Sequence, residues 1–133
     1  MTPTQRTLNH LRQESQYVDI VERFIHNRRV GHGIRSDLFH IIDFILLRNG
    51  SIVGVQSCGT DFKAHLRKIT QEYAGNAAAW LTCGGKIELI GWRKIRKRRG
   101  SKQMVYAPRI KEITLKDLED AKTELRGSAR SAA

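Results

Sequence analysis

Two polar side chains, Asp43 and Gln56, stand inside two apolar runs, "DLFHIIDFILL" and "SIVGVQS". The runs meet at Asn49-Gly50, a dipeptide that strongly favours a two-residue β-hairpin loop. Such a loop places Asp43 directly opposite Gln56 on two antiparallel strands, with Cβ atoms about 4.5–5.5 Å apart on one side of the sheet. The sequence therefore predicts that this carboxylate and this amide touch.

A carboxylate beside an amide in buried strands has two interpretations. Asp43 and Gln56 can form a satisfied polar pair that also bonds Arg35 or His40, because buried polar groups are normally hydrogen-bonded. They can instead be ligands of a hard divalent cation, since Mg²⁺ is commonly held by one or two carboxylates together with waters and substrate phosphates. A cation held there would polarise a phosphoryl oxygen and generate hydroxide from water.

The chain is strongly basic. Its 133 residues include 24 Lys and Arg against 13 Asp and Glu, which gives a formal net charge of +11 and a pI near 10.3. This surplus predicts attraction to polyanions, with nucleic acid expected first and an acidic membrane surface second. No apolar run approaches the roughly 18 residues of a spanning helix, and the polar N-terminus lacks a signal-peptide core. Two cysteines, Cys58 and Cys83, are too few for a disulfide scaffold, so we expect reduced thiols in a cytoplasmic protein.

Residues 92–102, "WRKIRKRRGSK", concentrate the positive charge and are called the basic arm below. The arm holds seven cationic side chains and no acidic one. We expect it to form a β-hairpin that turns near Gly100 and to bind backbone phosphates with release of counterions. A solvated loop or a localisation-type patch is the alternative interpretation. The predicted nucleic-acid-binding residues are Arg35, Arg93, Lys94, Arg96, Lys97, Arg98, Arg99 and Lys102, with Arg28 and Arg29 extending the surface.

The periodicity of apolar residues predicts the elements that carry these side chains. The expected order is helix, three strands, helix and strand, followed by the basic hairpin and a C-terminal helix, which is an α/β fold with a mixed sheet. Pro108 places the last strand near a sheet edge, because proline cannot donate to a ladder. Residues 1–126 are expected as one domain and 127–133 as a flexible tail. Helices are predicted near residues 4–15, 60–83 and 114–125, and strands near 16–24 (with a helix as alternative), 37–47, 51–57, 86–92 and 104–110.

The order of elements and the segments "VERF", "RSDLFHIIDFILL", "GVQSCG", "HLRKI" and "WLTCGGKIELIGWRK" resemble the PD-(D/E)XK nuclease superfamily. Restriction endonucleases and Holliday-junction resolvases belong to this superfamily, and the similarity is greatest to its small phage and bacterial members. The resemblance covers roughly residues 4 to 93. It implies a restriction-endonuclease-like αβββαβ core, Mg²⁺ or Mn²⁺ as cofactor, DNA as partner and a homodimer.

The resemblance also implies roles for individual residues. Asp43 matches the metal-binding aspartate, Gln56 the second acidic position, and Ser57 the middle residue, whose carbonyl assists the metal. Glu14 resembles the helix glutamate that some members use, with Glu22 as its rival. Cys58 stands where the motif has lysine, and a thiol cannot supply the charge of an ammonium. The candidates for a replacement cation on the following helix are Lys63, Arg67 and Lys68.

Three functions are compatible with this pattern. The resemblance implies a metal-dependent DNA endonuclease acting on duplex or branched DNA. The neutral Gln56 and the missing lysine at Cys58 favour an alternative, a catalytically inactive nucleic-acid-binding protein that keeps the nuclease fold. A basic phage structural or assembly protein is the third hypothesis.

Overall fold

The computed structural model describes residues 1–27 and 32–132. Arg28 and Arg29, which were predicted to extend the basic surface, lie outside this part of the chain. The described helices are α1 (Pro3–Glu14), α2 (Phe62–Arg67), α3 (Ala74–Thr82) and α4 (Leu115–Ala132), with a π-helical turn (Lys68–Glu72) between α2 and α3. The strands are β1 (Val18–Ile20), β2 (Arg23–Asn27), β3 (His32–Ser36), β4 (Phe44–Arg48), β5 (Ser51–Cys58), β6 (Lys86–Arg96) and β7 (Met104–Ile113).

A five-stranded mixed sheet is the centre of the fold. Its strand order is β1-β4-β5-β6-β7, and β2 and β3 form a separate two-stranded ribbon. The β5–β6 pair is parallel, and the connection between these strands runs through α2, the π-helical turn and α3. The other neighbouring pairs are antiparallel. The predicted α/β class with a mixed sheet is confirmed, and β7 is an edge strand, as Pro108 indicated.

The β4–β5 hairpin has the register that Asn49-Gly50 predicted. Ile45 pairs with Gly54 and Arg48 with Ser51. Both loop residues have positive φ, 52° for Asn49 and 75° for Gly50. Two positive φ values in succession are typical of the type I′ turn, whose twist matches that of the flanking strands.

The strand expected over residues 37–47 begins later, at Phe44. Residues 38–42 form a tight turn in which Phe39 and His40 have φ values of 53° and 65°. Non-glycine residues rarely adopt this region without tertiary support. Asn76 supplies such support, because its Nδ2 donates to the Phe39 carbonyl at 2.8 Å.

Both faces of the central strands are covered, as the continuous apolar runs predicted. On one face α1 packs against the sheet through Leu11, which contacts a cluster of side chains that includes Phe44 and Trp92. On the other face α2, α3 and α4 cover a second cluster. Its buried members are Ile41, Ile42, Cys58, Phe62, Ile69, Ala77, Ile87, Leu89, Ile113 and Leu118.

The helix ends follow local chemistry. The N-cap of α1 is Thr2, whose Oγ1 accepts from the Gln5 N–H at 3.2 Å. At the start of α4, Thr114 and Asp117 form a capping-box-like pair, in which Asp117 Oδ2 accepts from the Thr114 N–H at 2.8 Å. The backbone of α4 is helical to Ala132, and the expected flexibility of residues 127–133 stays a prediction. Within the described ranges, no helix is both long and apolar enough to cross a membrane.

Candidate functional site

Three carboxylates converge near the N-terminal end of β4. Oxygen atoms of Glu22, Asp37 and Asp43 all lie within 4.8 Å of one another. Glu22 precedes β2, Asp37 directly follows β3, and Asp43 directly precedes β4. The three residues are called the acidic cluster below.

The backbone explains why these residues meet. The Asp43 carbonyl accepts from both the Val21 N–H at 2.8 Å and the Glu22 N–H at 3.2 Å, which ties Glu22 to Asp43. Arg23 pairs with Ser36 at the base of the β2–β3 ribbon. The ribbon therefore returns the chain beside Glu22 and leaves Asp37 next to it.

Asp43 is buried, with 8% of its surface exposed. Burial, with the Asp37 hydrogen bond and the negative charges of Asp37 and Glu22 adding to it, raises the pKa of the Asp43 carboxyl to about 8, although the Ser57 N–H opposes the shift. That N–H donates to Asp43 Oδ2 at 2.9 Å. In the absence of a cation, burial, with the neighbouring carboxylates adding to it, therefore favours the protonated form of Asp43 at neutral pH.

Gln56 is fully buried beside the acidic cluster and contacts Asp37. Its Nε2 donates to Asp37 Oδ2 at 3.2 Å and to the Ile41 carbonyl at 3.0 Å. Its Oε1 lies 3.0 Å from His65 Nδ1. The predicted register is right, but the amide bonds Asp37 and His65, because the turn at residues 38–42 brings Asp37 over the strand.

Of the three cations proposed to replace the motif lysine, Lys68 is the one that reaches the acidic cluster. Its Nζ donates to Asp37 Oδ2 at 3.1 Å. Lys63 and Arg67 are exposed on α2, and neither has an ion-pair partner in the described part of the chain. Lys68 starts the π-helical turn, where the Tyr73 N–H donates to the Lys68 carbonyl five residues earlier.

Glu14 is ion-paired away from the acidic cluster. Its carboxylate bonds Arg48, which also bonds Glu88 of β6. Arg48 is five residues beyond Asp43 along the β4 direction, a separation of about 16 Å in an extended chain. The structure thus places Glu22, the rival, beside Asp43.

Ser57 contributes its N–H to Asp43, while its hydroxyl lies 2.7 Å from Thr7 Oγ1. Cys58, the next residue, is buried. Burial and the negative charges of Asp61 and Asp43 raise the pKa of the Cys58 thiol to about 11, against a lowering by Arg109. Cys58 is therefore a neutral thiol at pH 7.

Two members of the site, Asp37 and His65, were not singled out by sequence reasoning. Asp37 reads as the first residue of an apolar strand, since nothing in "DLFHIIDF" signals a turn at residues 38–42. His65 lies one helical turn after Asp61, and its Nε2 is 2.9 Å from Asp61 Oδ2. The i, i+4 spacing of Asp61 and His65 is the one sequence signal that could have pointed to His65.

The basic arm forms the tip of the β6–β7 hairpin, as predicted, and the side chains of Arg93 to Gly100 are exposed. Beside it, Arg6 lies 3.4 Å above the Tyr106 ring and Lys94 lies 5.5 Å from the same ring. Trp92 is buried, and its Nε1 donates to Thr7 Oγ1 at 2.9 Å. Arg35 is 76% exposed and 3.9 Å from Glu22. The arm is thus a free cationic surface, and Trp92 belongs to the core.

Comparisons of this chain with protein-family models, with curated proteins and with solved structures find no match. Its function has to be inferred from the chemistry of the site.

Proposed function

We propose that the protein is a metal-dependent DNA endonuclease of the PD-(D/E)XK type that hydrolyses phosphodiester bonds in duplex or branched DNA. The observation that carries the proposal is the acidic cluster with Lys68 hydrogen-bonded to it. Carboxylates and one adjacent cation are the groups that phosphodiester hydrolysis requires. A homodimer that presents two such sites to a duplex is part of the proposal.

The donor set fits Mg²⁺ or Mn²⁺. The cluster offers only oxygen ligands, which hard divalent cations prefer. Its three carboxylates lie within 4.8 Å of one another, and burial, with the neighbouring carboxylates adding to it, keeps Asp43 protonated. A divalent cation is the natural replacement for that proton, because it compensates the charge of all three groups. When bound, it would polarise the phosphoryl oxygen and lower the pKa of a water molecule.

The residues around the cluster hold it in place. The Ser57 N–H fixes one oxygen of Asp43, and the Gln56 amide fixes Asp37. Because Gln56 is neutral, it donates to Asp37, which a glutamate at this position could not do. Lys68 is positioned to stay bonded to Asp37 or to bind the phosphoryl group. Binding the phosphoryl group is the role that the motif lysine would have had at Cys58.

The basic arm supports DNA as the substrate. Its seven cationic residues lie on an exposed hairpin that can follow a phosphate backbone. Contacts of this kind position the nucleic acid and carry little sequence information. We therefore expect cleavage with weak sequence preference.

The test is a cleavage assay with duplex, branched and single-stranded DNA in Mg²⁺ or Mn²⁺. Asp43→Asn keeps the shape of the side chain and removes its charge, and Asp120→Asn on the exposed side of α4 is the matched control. The wild type and the control should cut DNA, and Asp43→Asn should lose at least about a hundredfold in rate. In parallel, either cation should raise the Tm of the wild type and of the control but not of Asp43→Asn. Cleavage that survives Asp43→Asn contradicts the proposal.

A second function, nucleic-acid binding without catalysis, is supported by one feature. Lys68 pairs with Asp37, and Gln56 donates a hydrogen bond to it, so the charge of the cluster is partly compensated without a metal ion. In this case the protein would bind DNA through the arm, would cut no substrate in either metal, and would show no cation-dependent rise in Tm.

A further inference from the structure

A small cleft lies where the basic hairpin meets the start of α2. It has a volume of about 120 Å³, and its lining includes Gly59, Thr60, Phe62, Gly91, Arg93 and Arg109. Gly91 is the register partner of Cys58, the last residue of β5, in the parallel β5–β6 pair. The cleft therefore lies outside the carboxyl end of β5, where open α/β sheets commonly bind ligands.

Gly91 allows β6 to approach α2 closely. A Cβ added at Gly91 would lie 2.7 Å from the Phe62 ring and 3.3 Å from Cys58 Sγ. Since there is no side chain at this position, the hairpin lies directly against Phe62. This contact brings the arginines of the hairpin to the Gly59-Thr60 loop.

Arg93 and Arg109 project from the same side of the hairpin. Arg109 pairs with Gly91 in the β6–β7 ladder, and Arg93 is two residues beyond Gly91 on β6. Residues two apart on a strand point to the same side. Both guanidinium groups therefore line the cleft.

The guanidinium of Arg109 is held in place and has no carboxylate partner. It lies 4.1 Å from the centroid of the Phe62 ring, a cation–π contact that limits its freedom. Among the described residues, neither Arg109 nor Arg93 forms an ion pair. Asp61, which directly follows the Gly59-Thr60 loop, bonds His65. The cleft thus presents two arginines that have no ion-pair partner among the described residues.

The cleft adjoins the acidic cluster. The Ser57 N–H donates to Asp43, and Gly59, in the wall of the cleft, follows two residues later. Two residues span at most about 7 Å, so the Gly59 wall of the cleft lies within about that distance of the Ser57 N–H that binds Asp43. A strand bound at the acidic cluster can therefore extend into the cleft.

We propose that this cleft is a subsite for a phosphodiester group of a nucleic-acid strand, bound by Arg109 and Arg93 with the Thr60 hydroxyl as an additional donor. The planar fork of arginine matches the two free oxygens of a phosphate. The inference rests on the proposed function, in which the neighbouring phosphate of the same strand lies at the acidic cluster. Arg109 and Thr60 then fix the register of the strand, while the exposed arm contributes contacts farther along it.

The test measures binding of a short labelled single strand and of the matching duplex in EDTA, so that no metal-dependent step contributes. Arg109→Gln should weaken binding about tenfold at low salt. It should also reduce the slope of log K against log salt by about 0.7–0.9. Arg126→Gln, an equal change of charge on the exposed side of α4, is the matched control and should change affinity less than about twofold. Arg109→Lys should be intermediate, because it keeps the charge and loses the fork.

The outcomes separate this inference from the proposed function. If Arg109→Gln binds the labelled DNA as tightly as Arg126→Gln does, the subsite does not exist. The same conclusion follows if the wild type binds neither the single strand nor the duplex. Efficient displacement of the strand by inorganic phosphate overturns it too, because the cleft would then be a site for the free anion. If Arg109→Gln binds more weakly in EDTA but the wild type never cuts DNA, the subsite stands and hydrolysis fails. Arg93→Gln, at an exposed position, gives the same readout should Arg109→Gln fail to fold.

Discussion

Asp43 is a carboxyl group whose charge depends on what lies beside it. The pKa of an ordinary aspartate is near 4, and burial together with Asp37 and Glu22 raises that of Asp43 to about 8. The group is therefore neutral in the apo protein over most of the physiological range. A cation, if bound, has to displace a proton, so its apparent affinity increases with pH up to about 8.

This shift has a consequence for stability. Because the folded-state pKa of Asp43 is raised, the folded protein binds the proton more tightly than the unfolded chain does between pH 3.8 and about 8. The contribution of Asp43 to the free energy of unfolding therefore falls as the pH rises through this window, by at most about 1.4 kcal/mol per pH unit. Without metal, the difference in unfolding free energy between wild type and Asp43→Asn should decrease across the window. Urea unfolding at several pH values measures it, and a constant difference would show that Asp43 titrates normally.

Gln56 provides a second prediction at the scale of single residues, because the PD-(D/E)XK pattern that the sequence resembles has an acidic residue at this position. Gln56→Glu replaces two N–H donors by a carboxylate next to Asp37, in a position where Gln56 is 1% exposed. The unfolding free energy in EDTA should fall by about 2–3 kcal/mol at neutral pH. Mn²⁺ should recover part of the loss if the cluster binds metal. Gln71→Glu, on the π-helical turn, is the control, and an equal effect of both substitutions would contradict this account.

Part of the site could be predicted from the sequence, because the position of Gln56 relative to Asp43 depends on a short local signal. The Asn49-Gly50 loop fixes the register of Asp43 and Gln56 with no help from the rest of the chain, and Lys68 was among the three cations considered. Asp37 and His65 were not identified as site residues, because their positions depend on contacts between residues that are far apart in the sequence. Asp37 is held over the sheet by a turn whose Phe39 carbonyl is bonded by Asn76 of α3, 37 residues away.

At the scale of elements, Arg48 connects three parts of the fold. It follows Leu47 at the end of β4 and bonds Glu14 of α1 and Glu88 of β6. The Glu88 side chain is 10% exposed, so it depends on Arg48 for compensation of its charge. The Glu14 carboxylate, expected from the resemblance as a metal ligand, is thereby committed to holding α1 against the sheet.

Removing this connection should be costly. Arg48→Met keeps much of the apolar stem and leaves Glu88 without its partner, so the unfolding free energy should fall by about 3 kcal/mol near pH 7. Lys63→Met, on the exposed side of α2, should change stability by less than about 0.5 kcal/mol. Denaturant unfolding of both variants near pH 7 tests the role, and equal effects would contradict it.

The division of the chain into β1 and β2 could not be predicted from the sequence. Alternating residues near Val18 and Phe24 predicted one strand, but the chain forms two, β1 and β2, which belong to different sheets. The break between β1 and β2 lies at Val21 and Glu22, whose N–H groups both donate to the Asp43 carbonyl. A long-range backbone contact of this kind leaves no signature in local periodicity.

At the scale of the whole molecule, positive and negative charges are segregated. The three clustered carboxylates are partly buried, whereas the cations of the arm are exposed at the tip of the β6–β7 hairpin. The net charge of +11 gives a long-range attraction for polyanions. The arm decides where that attraction is strongest.

A pair of triple substitutions tests this distribution. One variant changes Arg96, Arg98 and Arg99 of the arm to Gln, and its control changes Lys116, Lys122 and Arg126 of α4 to Gln, so both lose three charges. We expect the salt slope of DNA binding to fall by roughly 2–3 for the arm variant. The control should lose much less, because α4 packs against the π-helical turn and α3 rather than beside the arm. Equal slopes for the two variants would mean that total charge, and not the arm, governs binding.

The β2–β3 ribbon has a consequence for how the protein can vary. Its two ends are clamped together at Arg23 and Ser36, and Glu22 is tied to Asp43 by the backbone. The separation of Glu22 and Asp37 is thus set at the base of the ribbon, whatever its length. Doubling a loop costs only about 0.6 kcal/mol in closure entropy. The ribbon is therefore an exchangeable module: engineered variants can lengthen, shorten or replace it, and so reshape the approach to the carboxylates, while the spacing of the carboxylates is kept.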